Sequence, residues 1–236
     1  MTARNRREQG FTLIEILISL AVTSILSTAI YTIFSVQHRI YLAQRQIAAI
    51  QQSLRTCMYL LEDDIKLACF DPLNSAAPAI LIADRQAFRF QADLNENGSL
   101  QSENTNGSGE TTVTNDRNEQ KTYGFNMDAN GQGRLTRASW NAGGSPMADF
   151  IERLDFVYLN KDGTVLSPLP LSEGNRKLIR SVEVTLVARS ERPDPGHRDT
   201  GTYSNLQKEF LIGGNGDHFH RRSLSKTILL RNTIRD

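Results

Sequence analysis

Proline is missing from the first 71 residues, and glycine from the stretch between Gly10 and Gly98. These two residues end helices most readily, so nothing in the covalent chain forces a helix begun near residue 11 to stop before about residue 70. Charge is scarce too: from Phe11 to Phe34 the only charged side chain is Glu15. Only two cysteines occur, Cys57 and Cys69, without a CxxC or a Cys/His spacing of the zinc type, so no disulfide framework is implied. Twelve residues apart on one helix they would lie about 18 Å from each other, too far for a disulfide, and they read as small buried residues. There is no Gly-rich phosphate loop, no G-x-S-x-G elbow and no Cys/His nucleophile pair, which argues against an enzyme. Net charge is only +1, with +2 in the first ten residues and −1 in the rest, so the basic character is local and a generally nucleic-acid-binding body is disfavoured.

What is present begins with that leader. Arg4, Arg6 and Arg7 precede Gly10, and an apolar run follows to Phe34 that as a helix would span roughly 36 Å, enough for a bilayer. Thr12, Ser19, Thr23, Ser24, Ser27, Thr28 and Thr32 interrupt the run, but a helix can tie such hydroxyls to its own carbonyls. Arginines before the run and none within it predict a cytoplasmic amino end, with the body across the membrane. A secretory signal would carry a small-residue cleavage site after its apolar region, and none follows here.

The sequence Gly10-Phe11-Thr12-Leu13-Ile14-Glu15 resembles the processing signal of the type IV pilin and pseudopilin superfamily. The resemblance implies cleavage by a prepilin peptidase between Gly10 and Phe11 and N-methylation of Phe11. A carboxylate within the apolar part of a bilayer costs kilocalories, so Glu15 needs a partner or must snorkel to the interface. The resemblance supplies a partner, the α-amino group of Phe11 on a neighbouring subunit, paired as helices pack side by side in a filament.

Beyond residue 34, Val36, Ile40, Ala43, Ile47, Ile50, Leu54, Cys57, Met58, Leu61, Ile65 and Ala68 recur at spacings of three and four and form one apolar stripe. The opposite face carries Arg39, Gln44, Arg45, Gln51, Gln52, Arg55 and Glu62. The stripe is predicted to cover a sheet, on a helix that runs to about Cys69 and is about 90 Å long. The expected organisation is a leader at 1–10, a transmembrane or filament-core half at 11–34, an amphipathic half at 35–70 and a β-rich globular domain at 71–236.

In the body, residues 79–83 and 88–91 read as strands joined by a turn at Asp84-Arg85, and residues 93–120 as a long polar loop. Strands are predicted at 121–126 and 134–139 around a turn at Asp128-Ala129-Asn130-Gly131, then at 150–160, 178–188 and 224–230. About seven strands against one long helix, without βα alternation, predict an α+β fold with a largely antiparallel sheet. Leu60 to Ala68 before Cys69-Phe70-Asp71-Pro72, together with Phe150 to Tyr158 and the closing Leu229-Leu230-Arg231-Asn232, are similar to PilW-type minor pilins, and GspJ-type minor pseudopilins of type II secretion share the plan. The family usually has glycine where Cys69 stands.

The resemblance implies a minor pilin in a pilus at the cell surface, acting in assembly initiation or at the tip. Its implied partners are other major and minor pilins, the prepilin peptidase, the inner-membrane assembly platform and the lipid bilayer. The alternatives are a minor pseudopilin of a secretion system and a membrane-tethered calcium- or DNA-binding protein. For calcium the candidates are Asp93, Asn95 and Asn97, oxygen donors at alternating positions before the Gly98 turn. A twelve-residue loop would place its bidentate acid at Asn104, and the nearest glutamate, Glu103, falls one residue short, so a solvated Asn/Gly turn is the competing reading. No cofactor is otherwise implied. His218 and His220 beside Asp217 form a possible metal pair without a third ligand, and a surface loop is the favoured reading. Arg221, Arg222, Lys226, Arg231 and Arg235 make the carboxyl end basic, but without interleaved aromatics they read as a solvated edge strand, and DNA contact is disfavoured.

Overall fold

The computed structural model describes residues 11–105, 111–116, 119–127, 132–139, 144–213 and 216–233. The chain divides into two compact units, Met1–Arg45 and Gln46–Asp236. One helix, α1 (Leu13–Lys66, 54 residues), supplies most of the first unit and continues into the second. A four-residue helix, α2 (Glu173–Arg176), is capped by the Ser172 hydroxyl, which accepts from the Asn175 N–H. The strands are β1 (Ile80–Ala83), β2 (Ala87–Gln91), β3 (Gln101–Thr105), β4 (Thr111–Asn115), β5 (Gln120–Met127), β6 (Gly133–Ser139), β7 (Ser145–Asp149), β8 (Ile151–Leu159), β9 (Ser181–Arg189), β10 (Thr202–Ser204), β11 (Phe210–Gly213) and β12 (Arg221–Leu229).

All pairings are antiparallel. β1-β2-β5-β6-β7 form one sheet, β12-β9-β8 a second, and β3-β4 and β10-β11 are separate hairpins. The α+β class with a long amino-terminal helix on antiparallel sheets is therefore what the chain adopts. The two main sheets join through the bond from the Phe156 N–H to the Arg85 carbonyl, 2.8 Å, and through a cluster of rings, Phe88, Phe90, Phe156 and Tyr158, with neighbouring centroids 5.4 to 6.4 Å apart. Tyr158 is fully buried, and its hydroxyl donates to the Asp84 carbonyl at 2.8 Å, which satisfies the one polar atom the ring carries inward.

Within the second unit the stripe of α1 closes this core with Ile50, Leu54, Cys57, Met58, Leu61 and Ile65. The stripe read from sequence starts earlier, but Val36 and Ile40 are exposed, so burial begins only at Ile50. Polar bonds fix the rest. The Tyr123 hydroxyl donates to the Asp64 carboxylate, which also pairs with Arg137 at 2.5 Å, and Lys226 of β12 reaches Glu62 at 2.5 Å. The expected end near Cys69 is corrected to Lys66: residues 67–69 form a turn, and Cys69 has φ +61°, the left-handed conformation a helix C-cap takes up. Glycine adopts that conformation at less cost than the cysteine that stands here. Asn232 then caps the helix, its side-chain amide donating to the carbonyls of Lys66 and Ala68 at 3.0 and 3.2 Å.

Four further expectations are corrected. Residues 93–120 are not one loop, because β3 and β4 pair as a hairpin inside it. Twelve strands are present among the described residues against about seven expected, since β3, β4, β7 and β10 carry little apolar pattern and β11 has only four residues. The strand expected at 178–188 begins at Ser181, residues 177–180 being held by α2 and its capping turn. The strand expected from Phe150 starts at Ile151, because Phe150 has φ +61° and marks the corner where the chain leaves the first sheet for the second. The turn predicted at 128–131 lies outside the described residues.

Candidate assembly and processing site

Gly10 and the leader 1–10 lie outside the described residues, so the site begins at Phe11, which is 85% exposed. Thr12 precedes the first helical residue, and the sequence T-x-x-E from Thr12 to Glu15 is a capping box. The Thr12 N–H and hydroxyl both donate to Glu15 Oε2, at 2.9 and 2.8 Å, and the Glu15 N–H donates to Thr12 Oγ1 at 3.3 Å. The box satisfies backbone groups that the first turn leaves without partners and holds the carboxylate at the head of the helix. The sequence carried this signal, and neither reading of Glu15, as a snorkelling residue or as the partner of a neighbour's Phe11, used it.

Behind the box the helix offers a long apolar surface. Leu13, Ile14, Ile16, Leu17, Ile18, Leu20, Val22, Ile25, Leu26, Ile30, Ile33 and Phe34 are all exposed, and α1 is the one described helix long and apolar enough to cross a membrane. Its hydroxyls are neutralised within the helix as expected: those of Thr23, Ser24, Thr28 and Thr32 donate to the carbonyls of Ser19, Leu20, Ser24 and Thr28, at 2.7 to 2.9 Å. So large an apolar face must be covered by lipid or by protein.

The other candidate residues fall in separate places. Asp93 is fully buried; Oδ1 accepts from the Asn97 N–H at 3.2 Å and Oδ2 from the Gly98 N–H at 2.9 Å. Asn95 Oδ1 accepts from the Asn97 N–H at 2.9 Å, and Asn97 Oδ1 from the Ser99 N–H at 2.8 Å. Residues 103 and 104, where a twelve-residue loop would close, belong to β3.

His218 and His220 do not act as a pair. His218 Nδ1 lies 2.6 Å from the His197 carbonyl, whereas His220 is buried, stacks on His197 at 3.9 Å and meets Asp194 at 3.0 Å. Among the described residues no three His, Cys, Asp or Glu side chains are placed to hold a metal by themselves.

The basic carboxyl end is corrected at one residue. Arg221 is 2% exposed, and its guanidinium bonds Glu152 at 2.6 and 3.1 Å, Asp217 at 2.6 and 2.7 Å and Asp199 at 2.8 Å. This buried fork ties β8, β12 and the 199–217 segment together. The Arg221 bond holds the Asp217 carboxyl below its ordinary value; at Asp199 burial works the other way, but Arg221 and the Gly201 N–H outweigh it. β12 is an edge strand as expected, with Lys226 paired to Glu62 rather than left to solvent. Arg235 lies outside the described residues.

Both cysteines are buried and outside any disulfide, and burial pushes the Cys57 thiol up to about 11. Its S–H faces the Met147 carbonyl at 3.9 Å.

Residues 5–31 match the family model described as the prokaryotic N-terminal methylation motif. The chain therefore carries a prepilin-type methylation motif, spanning the leader, the Gly10-Phe11 junction and the capping box. No curated protein sequence matches. Among solved structures, a type IV-like pilin from Thermus thermophilus is similar at 12% identity and a TM-score of 0.49, over 78% of this chain and 97% of that one.

Proposed function

We propose that the chain is a minor pilin, anchored in the cytoplasmic membrane by the first half of α1, cut between Gly10 and Phe11, methylated on Phe11, and assembled into a type IV pilus through that helix. The observation that carries the reading is the run of exposed apolar side chains from Leu13 to Phe34, most of which lies within the match to the methylation motif at residues 5–31. A helix of that kind is soluble only in lipid or among its own kind.

In this reading Glu15 has two successive partners. In the membrane its carboxylate is held by the Thr12 N–H and hydroxyl, which lowers the cost of keeping a charge near the interface. In the filament it pairs with the α-amino group that cleavage creates on Phe11 of a neighbour, and attraction in a low-dielectric site sets the stagger between subunits. The minor-pilin assignment, with a place in initiation or at the tip, rests on the sequence resemblance of the segments around residues 60–72 and 150–158.

The test is mass spectrometry of the chain from membranes and from sheared surface filaments. A mature amino terminus of methylated Phe11 in both fractions is expected. An uncut chain starting at Met1 in cells that contain a prepilin peptidase would overturn the processing claim. Loss of protein secretion with normal pili in a deletion strain would move the assignment to a pseudopilin.

A further inference from the structure

The carboxylate of Glu119 is anomalous. The residue is 2% exposed, and neither of its side-chain oxygens has a hydrogen-bond partner. A buried carboxylate left in that condition is costly unless it is neutralised by a proton or a cation.

Its surroundings are oxygen-rich. The Ala92 N–H donates to the Glu119 carbonyl at 2.9 Å and the Glu119 N–H to the Asp116 carbonyl at 3.3 Å, which sets residue 119 against the start of the 93–98 loop and beside Asp116. Asp93, also fully buried, stands next in the chain after Ala92. Asp116 Oδ2 accepts from the Asn95 side-chain amide at 3.2 Å, while Asn95 Oδ1 accepts from the Asn97 N–H at 2.9 Å, as a loop carbonyl can while keeping a second lone pair. The charges of Asp116 and Asp93 add to burial in raising the Glu119 carboxyl, while the nearby Asn95 and Leu94 backbone N–H groups offset this only in part. Among the described residues neither Asp93 nor Glu119 has a Lys, Arg or His partner, and Asp93 is held by the Asn97 and Gly98 N–H groups alone.

We propose that the 93–98 loop and Glu119 form a calcium site, with Asp93 and Glu119 as carboxylate ligands, the Asn95 and Asn97 side-chain oxygens as neutral ligands, and Asp116 holding the Asn95 amide in orientation. The carboxylates by themselves do not close a site, and calcium is the cation that takes neutral amide oxygens and water to complete its shell. Magnesium demands a tighter octahedron and keeps its water, so it fits this set poorly. Glu119 supplies the acid that the linear loop pattern wants near residue 104: β3 and β4 loop out between the two halves of the site and return the chain to it. The proposal is independent of whether the chain assembles into pili.

The test uses the full chain in detergent micelles, stripped of metal and titrated with calcium or magnesium chloride to about 10 mM, beyond the Kd of about 10⁻⁴–10⁻³ M usual for extracellular calcium modules. Calorimetry is expected to show one calcium site, with a calcium-dependent rise in melting temperature and protection of the 93–119 segment from proteolysis. Glu119→Gln is expected to weaken calcium binding by at least about tenfold, since it removes the bidentate acid, while folding in chelator as well as the parent does. Asp93→Asn gives a second reading should Glu119→Gln fail to fold, and the exposed Glu173→Gln is the control. No calcium uptake by the parent chain would overturn the proposal. So would Glu119→Gln binding calcium as the parent does, or magnesium giving the same shift.

Discussion

Thr12 and Glu15 serve each other within one chain, and this changes how a mutation at Glu15 must be interpreted. Glu15→Ala removes both the capping partner and the charge, whereas Glu15→Gln keeps a side chain able to complete the box and removes only the charge. If pairing with a neighbour's amino terminus matters, both variants insert into the membrane and both are absent from sheared filaments. Normal incorporation of Glu15→Gln would leave the cap as the whole role of the residue. At Arg221, replacement by methionine leaves Glu152, Asp199 and Asp217 without their shared cation, and a loss of about 3 kcal/mol is expected in chemical denaturation of the solubilised chain. Asp199 and Asp217 are held below their ordinary value of 3.8 in the folded state. Their contribution is therefore complete above that pH and is lost as pH falls through the lower folded values. Melting temperature should drop on acidification below about pH 4, and less steeply in Arg221→Met. The Cys57 thiol, pushed up to about 11 by burial, should resist alkylation at pH 8 until the chain is unfolded.

At the scale of the element, α1 shows what periodicity can and cannot say. The three-and-four spacing is the same before and after residue 50, yet the buried positions run only from Ile50 to Ile65, while Val36 and Ile40 stay exposed and Ala43 and Ile47 are half-buried. Leu61→Ala should cost about 2–5 kcal/mol in denaturation of the body, while Ile25→Ala, on the exposed half, should leave that measurement unchanged. The sheets contribute a second prediction. A Cβ on Gly133 would stand 1.9 Å from the Ile151 carbonyl oxygen and 2.7 Å from the Phe125 ring, so Gly133→Ala must push β6 off β8, at a cost of about 1–3 kcal/mol. Strands with alternating or continuous apolar residues, such as β2, β8 and β9, were legible from the sequence. The β3-β4 hairpin was not, because its ten residues include a single apolar one, Val113, and so carry no period. Nor was the break at Phe150, where a bulky residue takes a backbone conformation that composition does not announce.

For the molecule as a whole, the sequence by itself determined the methylation motif, the apolar helix that runs on from it and the α+β class. Each of these is written locally, in a motif of six residues, in an absence of charge and breakers, and in spacings along one chain. Tertiary structure alone decided where the helix meets the sheets, that Asn232 at the far end of the chain caps it, that Arg221 of an apparently solvated basic strand is buried among three carboxylates, and that Glu119 returns to the 93–98 loop. The physical reason is common to all four. A cap, a buried ion pair and a ligand set are each defined by groups that are close in space and apart in the chain, by 166 residues for Asn232 and Lys66, 69 for Arg221 and Glu152 and 21 for Asn95 and Asp116, and no local pattern records which distant carboxylate or carbonyl a given side chain will meet.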